Sequence, residues 1–251
     1  MASSLVISGA NEGIGYYLAE QCLKGGMNVA ILDIATYRLD KLKEIYQGKL
    51  LIFQCDVCDF NQVKATCEPI IECFGNIDYL IHNACKAIFR SVEDCQDDDY
   101  HSVFDVNFLG AIHCIQAYLP KMKSQNKGKI ILMSSGVGVM GFSNLSPYAC
   151  SKGAIESLAK CMNLEYSHSG ITFHLMHPPL SKTTSAKPLP IPEEMKADPM
   201  KVGYGFANRL HQKSFIISHS RLQAIQTRLM YLMPISLGKL MDKMTKSHQQ
   251  I

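Results

Sequence analysis

This chain predicts an α/β fold: a single-domain, doubly wound parallel sheet of seven strands, followed by a helical C-terminal extension. Three observations carry that expectation. Short β-rich runs alternate with longer helical patterns through residues 1–218. The runs are continuously apolar, as parallel strands buried on both faces are. Chemistry-bearing residues fall where the runs end, and open α/β sheets bind ligands beyond the carboxyl ends of their strands. Strand-helix alternation with right-handed crossovers then yields the doubly wound arrangement.

The first strand is read at Leu5–Ser8, with a helix from Gly13 to Lys24. A second strand at Asn28–Leu32 precedes a helical stretch over Ala35–Tyr46. A third at Leu50–Cys55 precedes one over Phe60–Phe74. Asp78–His82 is the fourth strand, followed by a long helix near Asp98–Lys123. Lys129–Ser134 is the fifth, and a helix begins near Pro147. Ile171–Met176 and the short Ser214–Ile217 complete the sheet.

With 251 residues, 47% apolar and 19% charged, the chain can bury one large core. A formal charge of +3 makes no electrostatic case for nucleic acid. No run reaches the length of a membrane span, and the start lacks a basic n-region, so a cytoplasmic protein is expected. The ten cysteines are scattered, and free thiols are the expectation. Cys55 and Cys58 form a C-x-x-C without a second pair or nearby histidines, so no metal site is expected.

After the first strand comes Gly9-Ala10-Asn11-Glu12-Gly13-Ile14-Gly15. Gly9 permits a sharp exit from the strand. Gly13 lets backbone approach a phosphate, and Gly15 lets the helix pack closely on the sheet. The helix N-terminus then aims free amides at a pyrophosphate. Asp33 ends the second strand, placed to bond both adenosine ribose hydroxyls. Its charge repels a 2′-phosphate, so NAD(H) is favoured over NADP(H). Arg38 is expected to pair in solvent with Asp40 or Glu44. Asp56, after the third strand, is placed to accept from an adenine amino group or to cap a turn.

Tyr148 and Lys152 stand four residues apart, on one face of a helix with Pro147 at its first position and Ser146 as N-cap. A free phenol has a pKa near 10. A neighbouring ammonium and a positive nicotinamide would stabilise the phenolate and bring it into the range of acid-base work. Ser135 is placed to hold a substrate oxygen. Asn107, in the long helix, is placed to hold a water that links Lys152 to solvent.

In this order the motifs resemble the short-chain dehydrogenase/reductase family, over nearly all of residues 1–218. The family's cofactor turn, T-G-x-x-x-G-x-G, is matched by Ser8 through Gly15. Its adenine motif is matched by Cys55-Asp56-Val57, and N-N-A-G by His82-Asn83-Ala84-Cys85. The resemblance implies a catalytic tetrad of Asn107, Ser135, Tyr148 and Lys152. It implies cofactor contacts from the turn residues Gly9, Asn11, Glu12, Gly13, Ile14 and Gly15. Asp33, Asp56, Val57, Asn83, Ala84, Tyr148, Lys152, Pro178 and Thr183 join them, with Thr183 toward the nicotinamide carboxamide. A homodimer or homotetramer is expected.

Ser8 stands where the family has threonine, and Cys85 and Pro179 replace glycines. His82 and His177 beside these departures are expected to be packed structural histidines. The proline-rich stretch 187–192 falls in a substrate loop assigned to residues 184–213, and Asp198-Pro199 starts a further helix. Its apolar prolines and leucine lean toward a lipophilic substrate.

The extension, 219–251, carries Leu222, Ile225, Leu229, Leu232, Leu237, Leu240, Met241 and Met244 at helical spacing, interrupted by Pro234. Arg221, Arg228, Lys239, Lys243 and Lys246 line the remainder, with Asp242 the only acid. Packing on its own fold or on a partner subunit is the favoured expectation, over contact with a membrane surface. The function expected is an NAD(H)-preferring oxidoreductase that interconverts a small-molecule secondary alcohol and a ketone. The alternatives are an NADPH-linked reductase of a lipophilic ketone of steroid, retinoid or sphingoid type, and a catalytically silent NAD-binding regulatory protein.

Overall fold

The glycine-rich turn lies at the middle of a seven-stranded sheet. The computed structural model describes residues 2–189 and 191–247, the last four by backbone alone. Pro190 and the side chains of Met244 and Lys246 therefore lie outside the described residues. The strands are β1 (Ser4–Ser8), β2 (Asn28–Asp33), β3 (Leu50–Gln54), β4 (Tyr79–His82), β5 (Gly128–Met133), β6 (Ile171–Met176) and β7 (Ile216–Ile217). They pair in the order β3-β2-β1-β4-β5-β6-β7, each parallel to its neighbours. The winding reverses between β1 and β4, which opens a crevice at their carboxyl ends.

The helices are α1 (Gly13–Lys24), α2 (Asp40–Ile45), α3 (Phe60–Ala65), α4 (Cys67–Phe74), α5 (Asp97–Phe104), α6 (Gly110–Ser124), α7 (Val137–Met140), α8 (Ser146–Glu165), α9 (Pro199–Ala207), α10 (Arg221–Leu232) and α11 (Pro234–Ser247). Two apolar clusters form, one on each face of the sheet. Val6, Leu32, Leu80 and Leu132 belong to the first, and Leu5, Ile7, Ile31 and Ile131 to the second. Neighbouring strand residues thus point to opposite clusters, as the period-two pleat requires.

Several sequence expectations are corrected in detail. Ala35–Tyr46 shortens to a helix that begins at Asp40. Phe60–Phe74 divides at Thr66, because Pro69 has no amide to continue the ladder. The Thr66 hydroxyl fills the break by donating to Val63 O at 2.7 Å. The long helix runs from Asp97 but contains a π-helical turn, Asp105–Leu109, which holds Asn107. Ser146 lies inside α8 after a Leu145 cap, and its hydroxyl bonds Tyr100 at 2.8 Å instead. Asp198 caps α9 as expected, accepting from Met200 N.

The extension divides at Pro234 into α10 and α11, and both helices dock against α7 of the same fold. α10 faces its own fold with Gln223, Thr227 and Tyr231, while Leu222, Ile225, Leu229 and Leu232 are exposed. Those four do not pack on their own fold, whereas Leu237 and Met241 of the same pattern are partly buried.

Gly9 has φ of +71°, and a Cβ there would lie 2.4 Å from Ala84 Cα. Both strain and overlap follow, since Ala84 is backbone that cannot swing away. Gly9→Ala is expected to destabilise the fold by at least about 1–3 kcal/mol, the cost of such a backbone conformation alone. A fall in the urea midpoint at constant m-value would register it.

Candidate active site

A cavity of about 840 Å³ opens at the carboxyl ends of the strands. Its floor is the turn from Gly9 to Ile14. Gly15 lies just behind, where a Cβ would meet Gly9 O at 2.4 Å and Asn83 Nδ2 at 2.5 Å. The glycine therefore lets α1 approach the sheet and lets Asn83 donate to Gly9 O, which ties β4 to the turn. Gly13, at φ +65°, faces Thr183 across the cavity, its ideal Cβ 3.2 Å from Thr183 Cγ2.

Ser8 organises the same corner. Its hydroxyl lies 3.3 Å from the amides of Asn83 and Ala84, which donate to it, and 3.0 Å from His82 Nδ1. With both lone pairs engaged, the hydroxyl donates to Nδ1. That leaves His82 Nε2–H to donate to Val106 O at 3.1 Å. Burial, helped by the charge of Lys152, drives the pKa of this imidazole down to about 3. His82 is a neutral structural strut, as expected. Neither Cys85 nor Pro179, the two glycine replacements, adopts a positive φ.

Asp33 lines the cavity at the end of β2. Its Oδ2 accepts from Asn11 N at 2.8 Å and its Oδ1 from Ala35 N at 3.1 Å. The carboxylate is thus fixed by two amides beside the cavity. Arg38 does not pair with Asp40 or Glu44. Its guanidinium lies 3.6 Å from Glu12, and its amide donates to Asn11 Oδ1. The late start of α2 causes this, because it leaves residues 35–39 folded back onto the glycine turn. Asp56 accepts from Cys58 N at 2.9 Å, a turn cap at the cavity edge, and Val57 is buried beside it. Burial raises the Cys55 thiol to about 11 and Cys58 to about 12, so neither offers a thiolate. Among the described residues, no three His, Cys, Asp or Glu gather as a metal site would need.

At the other end, Ser135, Tyr148 and Cys85 line the cavity wall together, and both neighbours act electrostatically on the phenol. The cysteine is a contact that sequence reasoning missed, although it marks a departure from the motif. Burial raises the Tyr148 pKa well above the ordinary phenol value, and the Cys85 sulfur adds to this; Ser135 only partly offsets them. Lys152 is buried beneath. Its ammonium donates to Met133 O at 2.8 Å and sits 5.6 Å from the centre of the Tyr148 ring. Desolvation lowers its pKa. The expected lowering of the phenol by this ammonium is therefore not what the protein alone produces: burial outweighs it.

Asn107 is buried in the π-turn of the long helix. The π-turn delivers its side chain to the segment after β4. Oδ1 accepts from Lys86 N at 2.8 Å, while Nδ2 donates to Lys86 O and Ser151 Oγ, each at 2.9 Å. The amide braces the cavity wall. π-turns often mark functional positions, yet no residue pattern announces this one.

A buried knot joins the site to the extension. Glu156 lies one turn beyond Lys152 on α8. It accepts from Ser134 Oγ and from Tyr231 OH, and lies 2.9 Å from His177 Nε2. Burial pushes the Glu156 carboxyl up, but its hydrogen bonds, led by that of His177, hold it below its usual value. His177 is thus packed and bonded within the protein, as expected for a structural histidine. Pro178 and Thr183 follow it along the cavity, and Met230 and Met241 of the extension complete the wall. The two methionines lie more than eighty residues beyond Tyr148, with no local signal to connect them.

The model for short chain dehydrogenases matches residues 3–193. The chain is 29% identical over 192 residues to a fatty acyl-CoA reductase of Acinetobacter baylyi, covering 74% of this chain and 65% of that one. It is 30% identical over 183 residues to the 3-oxoacyl-acyl-carrier-protein reductase FabG of Staphylococcus aureus, covering 71% and 74%. Among solved structures, a short-chain dehydrogenase from Streptomyces avermitilis superposes with a TM-score of 0.79 at 20% identity, covering 91% of this chain and 95% of that one. A short-chain dehydrogenase/reductase from Burkholderia phymatum, in complex with NAD, gives 0.79 at 20%, with 91% and 92% covered. Sheet order, glycine turn and the match over residues 3–193 agree, and the chain belongs to the short-chain dehydrogenase family.

Proposed function

We propose that this oxidoreductase interconverts a secondary alcohol and a ketone, with NAD(H) preferred and Tyr148 as the general acid and base. The observation that carries the reading is the Tyr148–Ser135 pair on the wall of the cavity, with Lys152 buried beneath it. In this reading residues 1–218 carry cofactor and chemistry, 184–213 the substrate loop, and 219–251 the extension.

The residues present fit a dinucleotide. The positive-φ glycines Gly9 and Gly13 hold a side-chain-free turn open at the N-terminus of α1, where backbone amides suit a pyrophosphate. Gly9, Asn11, Glu12, Gly13, Ile14, Asp33, Asp56, Val57, Asn83, Ala84, Tyr148, Lys152, Pro178 and Thr183 line one continuous cavity. A bound nicotinamide dinucleotide supplies or accepts the hydride. Ser135 holds the substrate oxygen, and Tyr148 gives that oxygen its proton. Burial raises the phenol pKa, so Tyr148 carries the proton that it donates in the reduction direction. Asn107 keeps the segment at Lys86 in place, and through Ser151 supports α8. Met133, Met140, Phe142, Leu189, Ile191 and Met230 give the cavity an apolar wall, which suits a lipophilic ketone. All ten cysteines are free, in keeping with a reducing, cytoplasmic setting.

A screen of ketones and alcohols with both cofactors tests the reaction. Absence of turnover with every carbonyl, alongside tight NADH binding, would instead favour the silent regulatory reading. For the cofactor, NADH is expected to bind at least about tenfold more tightly than NADPH in fluorescence titration, because Asp33 repels a 2′-phosphate. Asp33→Ala should narrow that gap. Equal or tighter NADPH binding by the parent protein would sink the preference.

A further inference from the structure

Helix α10 is inverted relative to an ordinary surface helix. The face toward the protein is largely polar: Gln223 is 3% exposed and Thr227 1%, and Tyr231 donates to Glu156. The face toward solvent is apolar: Leu222 is 66% exposed, Ile225 57%, Leu229 44% and Leu232 76%. These four recur at intervals of three and four residues and so form one stripe along the helix. Met233, Ile235 and Leu240 extend it across the turn and onto α11. Seven of the fifteen exposed large apolar residues among those described fall between 222 and 240. A concentration of this kind marks an interaction surface.

Charge indicates what covers it. On a helical wheel Arg221 and Arg228 fall along one edge of the stripe, and Lys239 and Lys243 are exposed on α11. Asp242 is the sole carboxylate of the extension. A second copy meeting this face across a two-fold axis would bring basic edges together. An anionic lipid surface complements both features, apolar centre and basic edge. The helices are too short to span: at 1.5 Å per residue, the 12 residues of α10 and the 14 of α11 reach only about 20 Å each, against a core of about 30 Å. No helix among the described residues is long and apolar enough to cross a membrane. The same two helices supply Met230 and Met241 to the cavity wall.

We propose that α10 and α11 lie on the surface of an anionic bilayer by this outward face, with the cavity rim at Met230 and Met241 turned toward the lipid, so that an apolar substrate enters from the bilayer. The delivery step rests on the ketone-reductase reading; the docking does not.

Sedimentation of the full-length protein with vesicles tests it. Vesicles of phosphatidylcholine with roughly a third phosphatidylserine should bind the protein, pure phosphatidylcholine should bind it at least about tenfold less, and added salt should weaken the association. The variant L222S/I225S/L229S/L232S should lose vesicle binding and keep NADH affinity and turnover of a small water-soluble ketone. With a long-chain ketone presented in vesicles, its KM should rise several-fold. Arg221→Gln with Arg228→Gln leaves the apolar stripe intact. It should reduce the salt-sensitive part of binding, and it keeps the test decisive if the serine variant folds poorly. The docking is overturned if the parent protein ignores anionic vesicles. It is equally overturned if, without lipid, the serine variant lowers the mass measured by light scattering, because the stripe then joins copies of the chain. Vesicle binding needs no substrate, so failure of the catalytic reading would leave it standing and be seen separately.

Discussion

Tyr148→Phe is expected to lower turnover of a ketone with NADH by at least about a hundredfold, the usual worth of general acid-base catalysis. The variant keeps the ring and its packing and removes the hydroxyl that faces Ser135 and Cys85 on the cavity wall. NADH affinity, read by fluorescence, should change little, because the binding turn and Asp33 lie at the other end of the cavity. Stability should fall by less than about 1.5 kcal/mol, since Ser135 can turn its hydroxyl to water. The loss should therefore appear in kcat rather than in KM or in the melting temperature. A variant that retained its turnover would remove Tyr148 from the mechanism and leave Ser135 and Cys85 as the polar groups nearest the reacting oxygen.

The placement of that phenol was legible because it depends on short-range features. The step of four positions from Tyr148 to Lys152 makes one helical turn, and the turn from Gly9 to Gly15 follows its strand directly. The sheet was legible for a similar reason: strands buried on both faces leave unbroken apolar runs, and their alternation with helices implies a doubly wound parallel sheet. What escaped depends on contacts distant in sequence. The π-turn at Asn107 is stabilised by Lys86 and Ser151, which the helical pattern around it does not reveal. Arg38 turns to Glu12 because α2 starts late. Apolar periodicity in the extension correctly gave two helices divided at Pro234, but periodicity says only that a stripe exists. Which side faces the protein was decided by Tyr231 reaching a buried carboxylate, 75 positions earlier in the chain. The state of the pair in the protein alone was not legible, because sequence supplies charge and spacing but not desolvation, and here burial raises the phenol and lowers the ammonium.

That desolvation makes Lys152 the second position where a large effect is expected. Lys152→Met keeps the length of the stem and removes the ammonium, so packing against Gly138 should survive. Turnover should fall by about a hundredfold or more, because the positive charge that would stabilise a phenolate disappears. NADH should bind about tenfold more weakly if the ammonium also touches the nicotinamide ribose. Stability should move differently. Burial lowers the lysine pKa in the folded protein, so the unfolded chain binds the proton more tightly. The wild-type lysine then destabilises the fold below its lowered pKa. That penalty is relieved as pH rises from there toward the unfolded value of about 10.4. Against this, the variant leaves Met133 O without its donor, at a cost of about 1–3 kcal/mol. Urea unfolding measured at a series of pH values separates the two effects. Wild-type stability should rise relative to Lys152→Met across that window, and below it the difference should stay constant. A difference independent of pH throughout would mean that Lys152 carries the same charge in folded and unfolded chains, and that the loss of turnover comes from geometry rather than from a tuned ammonium.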